Sequence, residues 1–594
     1  MVAVSAIYFR HNKFRESQKE LIKDCITVLN DKKILLAHAP TGLGKTDAVL
    51  GSCFTWAWKN NLSVLFLTPK ISQHFLALDV LKGISEKYSL DFCATDVVGK
   101  KYLCSHPLVS STSKEDIYEF CNRLKAKEKC EYYLNSEDIE ISGILSHIEI
   151  KEKALEFENT PCPYEILLNN ARKNIVTIAD YFHIFNPGIC KVFLNRIKKK
   201  LENIILVVDE AHNLPDRVRE VLSVSITKNI LKNAQEEANL LKNKELVSFF
   251  RKAIKEFDKV EGERVVFQNE LSVDEDLLED MRETGLDYLE LTNRSKSACL
   301  KAYSFYSSWL DDSPGYLRIC TERQTKRISK KCLDPGIFTS EIFKKTYASI
   351  LMSGTLQPLD MYRDLLGLDQ KRTVMKSYPS PFPKENRLNL IIPTATTKFS
   401  ARTKEEYLKI HEKINSILKC VKGNVAVFFP SYDVLNAVVE CGTFCKEQII
   451  QKNKANPEEV SNILEKLKSN NSDYVLLGVA GGSFAEGVDF PNNCLKGVIV
   501  VGVPLAEPDL ETKSLIEYYE HKFGKGWAYG YIYPAIIKAI QAGGRVIRSE
   551  KDKGFILFLD SRYTWKNYSN CLPKELDFKI CENPEKEILE FFKN

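Results

Sequence analysis

The chain of 594 residues has no apolar run of the ~20 residues that a membrane-crossing helix needs. No secretory leader is legible either, since Met1-Val2-Ala3-Val4 runs quickly into Arg10, His11 and Lys13. No low-complexity tract and no repeat of fixed period is visible, so a repeat array is not expected. An excess of charge of one sign is also missing. The 84 basic and 79 acidic residues leave a formal net charge of only +5. A nucleic-acid partner would therefore be held by local basic patches, not by a basic whole. The hydrophobic share of 44% and charged share of 27% are those of an ordinary globular protein, and composition alone does not point to DNA. The length suggests about four domains.

Cysteine is plentiful, at 17 residues. So many thiols without a leader fit a reducing interior. Most stand singly in apolar surroundings, such as Cys53, Cys190 and Cys494, and read as small buried hydrophobes. The Cys441 and Cys445 pair is also expected in the core, because no second pair lies nearby.

Four segments carry chemistry. The first is Ala39-Pro40-Thr41-Gly42-Leu43-Gly44-Lys45-Thr46, which follows Ile34-Leu35-Leu36-Ala37, a run that reads as a buried strand. A Gly-rich turn lets backbone N–H groups converge on phosphates, and a following helix adds its positive end. Lys45 is expected at the β- and γ-phosphates of ATP, and Thr46 at Mg²⁺. Ala39 stands where a first glycine is usual, but Gly42 and Gly44 still free the turn.

The second segment, Asp209-Glu210-Ala211-His212, follows five branched aliphatics from Ile204 to Val208, which suit a parallel strand buried on both faces. Acidic residues past such a strand lie where α/β sheets bind ligands. Asp209 is the expected Mg²⁺ partner, and Glu210 the base or orienter of the attacking water. The third segment is Ser353-Gly354-Thr355. The fourth is Gln541-Ala542-Gly543-Gly544-Arg545-Val546-Ile547-Arg548. If helical, it would put Gln541, Arg545 and Arg548 on one face as a γ-phosphate sensor.

This order resembles that of superfamily 2 helicases, and of the XPD-type group in particular. Phe14-Arg15 with Gln18 resembles the adenine-recognition motif, and Phe428-Phe429-Pro430-Ser431-Tyr432 resembles motif IV. The run from Gly481 through Glu486, Gly487, Val488 and Asp489 to Phe490 resembles motif V, which implies roles for Gly487 and Asp489 in coupling ATP to DNA. Ser380-Pro381-Phe382-Pro383 and Val501-Gly502-Val503-Pro504 are further landmarks of the group. One region departs: Thr68-Pro69-Lys70-Ile71-Ser72-Gln73 holds the place of motif Ia, where an Arg-Thr-His-like run is usual.

Between the first two motifs, Cys104, Cys121, Cys130 and Cys162 stand in a charged segment that has trouble stabilising itself by burial. A four-thiolate metal centre would fix it. Structural zinc usually shows close Cys-x-x-Cys pairs, whereas here the gaps are 16, 8 and 31 residues. Spacing alone leaves both iron–sulfur and zinc open. The resemblance implies a [4Fe–4S] cluster, because Leu103-Cys104 before His106-Pro107, and Cys162-Pro163-Tyr164, match the group's local context. Lys100 and Lys101 match basic positions that the group places near DNA; the plain alternative is a solvated lysine pair.

The expected fold is α/β: two RecA-like parallel-sheet motor domains with an inserted iron–sulfur domain and an inserted helical arch. The boundaries are 1–89, 173–215 and 343–385 for the first motor domain, 90–172 for the cluster domain, 216–342 for the arch and 386–594 for the second motor domain. The Pro-rich stretch 378–383 is the expected hinge. In the arch, Tyr303, Phe305, Tyr306 and Trp309 read as helix core in preference to a base-stacking platform. The resemblance implies an ATP-dependent helicase that moves 5′ to 3′ on single-stranded DNA, opens forked DNA and acts in repair as a monomer. It implies a place with the chromosome: the cytoplasm of a prokaryote, archaeal by its compact length, or the nucleus of a eukaryote. Two other readings stay open: an ATPase switch without unwinding, and a nuclease fed by the ATPase, although no second acidic metal site stands out.

Overall fold

The structure, a computed structural model, describes residues 6–593 apart from 454–455, 470–471, 487–489 and 491–492. The chain forms two units. One takes in Met1–Ala37 and Gly44–Lys376, the other His38–Leu43 and Ser377–Asn594. The main boundary thus falls at the Pro-rich stretch.

In the first unit, eight strands form a sheet among the described residues. Their order is Thr373–Ser377, Ile34–His38, Ala348–Ser353, Ile204–Val208, Ser63–Thr68, Val176–Asp180, Ala94–Val97 and Ile144–Leu145. Ile204–Val208 runs parallel to the strands on either side of it and is buried along its whole length. Branched side chains on both faces make it a two-sided core strand. Helix Lys45–Asn60 is buried from Ala48 to Ala57. Such an all-round apolar helix belongs inside a layered domain.

The short strands Ala94–Val97 and Ile144–Leu145 pair with each other, and the first also pairs with Val176–Asp180. The eight-stranded sheet therefore reaches into the 90–172 segment. Between and after these two strands lie the insertion's helices, chief among them Ile117–Ala126, His147–Ala154 and Pro163–Lys173.

The 216–342 segment holds helices Lys228–Leu240, Lys244–Lys259, Asp276–Thr292 and Ala298–Leu310. It also holds an antiparallel sheet that helical spacing does not announce: Val224–Thr227, Arg327–Cys332, Tyr316–Thr321 and Arg264–Val265. Phe305, Tyr306 and Trp309 are buried against Phe250 and Phe257, and the Phe305 and Trp309 rings stack at 5.2 Å. They are core, not a platform for bases.

The insertion and the arch share a second core. Val109, Ile117, Phe120, Cys121, Leu124 and Cys130 pack with Leu286, Leu289 and Leu300 of the arch helices. Ion pairs ring this patch: Arg123 meets Glu283 at 3.0 Å, Glu290 at 3.3 Å and also Asp287, while Arg282 meets Glu119 at 3.0 Å.

In the second unit, seven strands among the described residues are ordered Glu447–Ile450, Tyr474–Val479, Asn424–Phe429, Leu495–Val501, Gly554–Leu559, Arg387–Ile392 and Lys579–Ile580, and all are parallel. Helix Tyr533–Gly543 packs beside this sheet so closely that a Cβ on Gly543 would lie 2.7 Å from Ile556. The helix stops there. Two consecutive glycines favour a helix end, so Arg545 sits in a turn and Arg548 in chain without regular structure. The expected single helical face for Gln541, Arg545 and Arg548 does not form.

Two cysteine expectations also change. Cys445 is exposed, with Cys441 half-buried, because the pair lies on the loop after helix Tyr432–Val439, and Cys494 is only half-buried. Cys53 and Cys190 are buried.

Candidate nucleotide site

The site grows from the carboxyl ends of parallel strands. His38 leads into the turn, and Gly42 and Gly44 take φ of +84° and +79°, the left-handed region that glycine enters without strain. Ala39 and Leu43 are buried beneath the turn, Pro40 and Gly42 are half-buried and Thr41 is exposed. Helix Lys45–Asn60 begins with no side-chain cap, so its first N–H groups and positive end face the turn. Gln18, only 5% exposed, donates from Nε2 to Gly44 O at 3.3 Å, and a Cβ on Gly44 would fall 2.2 Å from that nitrogen. Gln18 Oε1 accepts the Arg15 N–H at 2.9 Å, and Phe14 packs on Phe9 at 4.6 Å. Gln18 thus braces the turn at Gly44.

Register sets the acidic side. Leu351 pairs with Val208, so two residues further on Ser353 comes level with Glu210. The Ser353 hydroxyl donates to Glu210 Oε2 at 3.0 Å and accepts the Thr355 N–H at 3.1 Å; His212 Nδ1 lies 2.7 Å from it. A hydroxyl has one proton and two lone pairs, so donation to Glu210 fits acceptance from His212 and Thr355. Lys45 Nζ lies 3.9 Å from Glu210 Oε1, with the two side chains 12% and 28% exposed. That is a loose pair with room for a phosphate group's charge. Glu210 itself has φ +48°, uncommon for a residue with a side chain. Its carbonyl is held by the Tyr181 hydroxyl at 3.0 Å and Asn213 Nδ2 at 3.2 Å, and Tyr181 also bonds Asp209 O.

Burial and the neighbouring Glu210 charge push the Asp209 carboxyl up. Burial works against ionised Glu210 as well, but Lys45, His212 and Ser353 overrule it and hold that carboxyl low. Asp209 is thus a buried carboxyl that Lys45, the Glu210 N–H and His212 compensate only in part, and Thr46 opens the adjoining helix half-exposed. A hydroxyl and a carboxylate are the hard oxygen donors that Mg²⁺ takes, so these residues fit the ion. Tyr181 and the hydroxyl function of Ser353 escaped the sequence reading. An aromatic after a strand has no motif of its own, and register is invisible without pairing.

In the second unit, Gln541, Arg545 and Arg548 are all half-exposed. Arg545 Nε donates to Ala485 O at 2.7 Å, and the Arg548 N–H donates to Asp552 Oδ2 at 2.7 Å. Gly487 and Asp489 lie outside the described residues.

The four insertion cysteines gather. Cys121, Cys130 and Cys162 are buried and Cys104 half-buried. Burial pushes the Cys104 thiol up to about 11, with the charges of Cys121 and Cys130 adding, and the Cys162 thiol up to about 12, with Cys104 and Cys121 adding. Among the described residues, no three His, Cys, Asp or Glu side chains close on one point that could hold a metal ion. Four thiols are the donor set that would hold a [4Fe–4S] cluster. Lys100 is buried beside these thiols, its ammonium over the rings of Tyr118 at 4.9 Å and Tyr164 at 5.4 Å. Lys101 donates to Thr112 O at 2.7 Å. Lys100 is therefore not a solvated lysine.

At the place of motif Ia, Thr68 Oγ1 donates to Lys70 O at 3.0 Å, and the next helix opens on buried His74. Fully buried Asp96 lies 3.1 Å from His74 Nδ1 and 2.6 Å from His147 Nδ1. This network ties the segment to the insertion, and the sequence reading missed it.

Comparison with known proteins agrees with this geometry. The DEAD_2 family model matches residues 69–231, and the model described as Helicase C-terminal domain matches residues 414–578. The chain is 25% identical to the ATP-dependent DNA helicase XPD of Sulfolobus acidocaldarius, over 94% of this chain and 98% of that protein. It is 24% identical to the general transcription and DNA repair factor IIH helicase subunit XPD/RAD3 of Saccharomyces cerevisiae, over 96% and 88%. A solved structure described as XPD_Helicase superposes with a TM-score of 0.72 at 22% identity, covering 96% of this chain and 100% of that one, a likeness of fold. Among the described residues no helix is long and apolar enough to cross a membrane. Two family models on the two halves, relatives matched nearly end to end and a shared fold converge: the chain belongs to the XPD/Rad3-type helicases.

Proposed function

We propose that this chain is an ATP-driven DNA helicase that moves along single-stranded DNA, 5′ to 3′, and opens forks during repair. The observation that carries the ATPase is the chain Lys45–Glu210–Ser353–His212 at the carboxyl end of the first sheet. The DNA substrate rests on the names of two relatives, one an ATP-dependent DNA helicase and the other a helicase subunit of a general transcription and DNA repair factor.

In this reading the turn from Pro40 to Gly44 cradles the phosphates, and Phe14, Arg15 and Gln18 receive the base. Lys45 moves from Glu210 to the β- and γ-phosphate charge. Glu210, freed at Oε1 and held at Oε2 by Ser353, orients water and accepts its proton. Thr46 and Asp209 hold Mg²⁺, which supplies charge to the phosphate oxygens when bound. Arg545, Arg548 and Gln541 serve the γ-phosphate as sensors of its charge. Gly487 and Asp489 couple to DNA.

Cys104, Cys121, Cys130 and Cys162 hold a [4Fe–4S] cluster as a structural centre. The motor, insertion and arch follow the four boundaries given above, except that strands Ala94–Val97 and Ile144–Leu145 join the first motor sheet and the second unit takes in Ser377–Asn594. The protein acts as a monomer alongside the chromosome.

Strand displacement on forked DNA with ATP tests the proposal. Displaced strand supports it. ATP turnover with neither displacement nor cleavage would favour a conformational switch, and cleaved strands would favour a nuclease.

A further inference from the structure

The stretch 378–383 carries one side chain that the nucleotide reading leaves unexplained. Its backbone is pinned at two points: the Tyr378 N–H donates to His38 O at 2.9 Å, and the Phe382 N–H donates to Ser380 Oγ at 3.3 Å. The Phe382 ring then meets the phosphate-binding turn at its glycine. A Cβ on Gly42 would fall 2.1 Å from Phe382 Cζ and 2.5 Å from Cε1, nearer than any real contact. Gly42 is thus required twice, by its φ of +84° and by this ring. The same half-buried side chain packs on the apolar cluster that contains Phe428, Val498, Ile556 and Phe558. Turn, ring and cluster all belong to the unit made of His38–Leu43 and Ser377–Asn594.

We propose that Phe382 is a positioning residue that couples filling of the phosphate-binding turn to the second sheet. The inference rests on the ATPase reading above. The N–H groups around Gly42 must settle onto phosphate oxygens. The ring leaves the turn no slack, and close-packed contacts pass on displacements instead of absorbing them. A benzyl ring brings no charge and no hydrogen bond, so it adds nothing to phosphate affinity. Removing it leaves a gap across which the contact is lost.

The test uses the full chain, wild type against Phe382→Ala and Phe382→Leu. It measures affinity for a fluorescent ATP analogue, and ATP turnover with and without single-stranded DNA. Both variants should keep wild-type nucleotide affinity and DNA-free turnover. Single-stranded DNA should raise the turnover of the wild type; that stimulation should fall to near one in Phe382→Ala and to an intermediate value in Phe382→Leu. Leucine keeps most of the apolar volume, and its thermal midpoint guards against misfolding. Undiminished stimulation in Phe382→Ala overturns the inference. So does a loss of nucleotide affinity in proportion, which would make Phe382 a nucleotide contact. A wild-type chain whose turnover ignores DNA overturns the motor reading and this inference together.

Discussion

Removing the Ser353 hydroxyl is the sharpest test of the site. Ser353→Ala deletes one buried oxygen that touches three groups: Glu210 Oε2 at 3.0 Å, His212 Nδ1 at 2.7 Å and the Thr355 N–H at 3.1 Å. A hydrogen bond to a charged partner is worth about 1.5–3 kcal/mol. The structure places the loss at the lower end of that range, because His212 Nδ1 already lies 3.3 Å from the same Glu210 oxygen and takes over part of the bond. About 1.4 kcal/mol is tenfold in rate, so turnover should fall on the order of tenfold. Nucleotide affinity should hold, since Ser353 faces the carboxylate. Thr355→Val should cost less, because the Thr355 hydroxyl stands 3.4 Å from Ser353 Oγ. Steady-state ATP hydrolysis with saturating single-stranded DNA, set beside nucleotide titration, reads both quantities. Wild-type kcat in Ser353→Ala, or an equal loss in Kd, would refute the assignment of Glu210 as the orienting base.

Lys45→Ala should lower turnover on the order of 10²-fold or more while sparing single-stranded DNA binding; an unaltered rate of ATP hydrolysis would count against the cradle. Arg545→Ala should lose far more turnover than ATP affinity, of the ~10³–10⁵ size known for arginine fingers, and Arg545→Lys should not restore it because the planar fork is gone; equal losses in kcat and Kd would mark plain ground-state binding. Protein purified without oxygen should be brown with about four irons, and Cys104→Ser should lose the colour and unwinding but keep much of its ATPase; stoichiometric zinc without iron would refute the cluster. Burial opposes ionised Asp96, yet His147 and His74 bring its carboxyl down to about 2. Its folded value lies below the unfolded one of about 3.9, so its contribution is present above that value and fades as pH falls towards 2. At about 1.4 kcal/mol per unit the shift is worth about 2–3 kcal/mol. In acid titrations followed by circular dichroism, Asp96→Asn should be less stable at neutral pH and should have a shallower acid loss; an unchanged profile would refute this role.

The motor sheets were legible because parallel strands buried on both faces write themselves as apolar runs. Ile204–Val208, Asn424–Phe429 and Gly554–Leu559 fall where such runs are found. Ala94–Val97 carries Thr95 and Asp96 inside the core, so no such run marks it. The arch sheet was hidden for a related reason: Arg264–Val265 has two residues, and Arg327–Cys332 is half basic. At the site, residue identities were readable and their contacts were not. The hydroxyl of Ser353 reaches Glu210 through strand register, and the burial of Lys100 depends on Tyr118 and Tyr164 folding over it. The stripe at Gln541 to Arg548 misled because a spacing rule was carried across Gly543 and Gly544, which end the helix.

The apolar patch shared by the insertion and the arch bears on how such chains can be recombined. Phe120, Cys121 and Cys130 from one segment interlock with Leu286, Leu289 and Leu300 from the other, and Arg123 is matched to three carboxylates across the seam. Although about 150 residues of chain separate the halves of this seam, a chimaera that borrows a relative's insertion while keeping its own arch would bring together two mismatched surfaces. Grafted together, the two carry their complementarity with them. For protein engineering, and for inheritance by recombination, these separate stretches of sequence behave as a single exchangeable module.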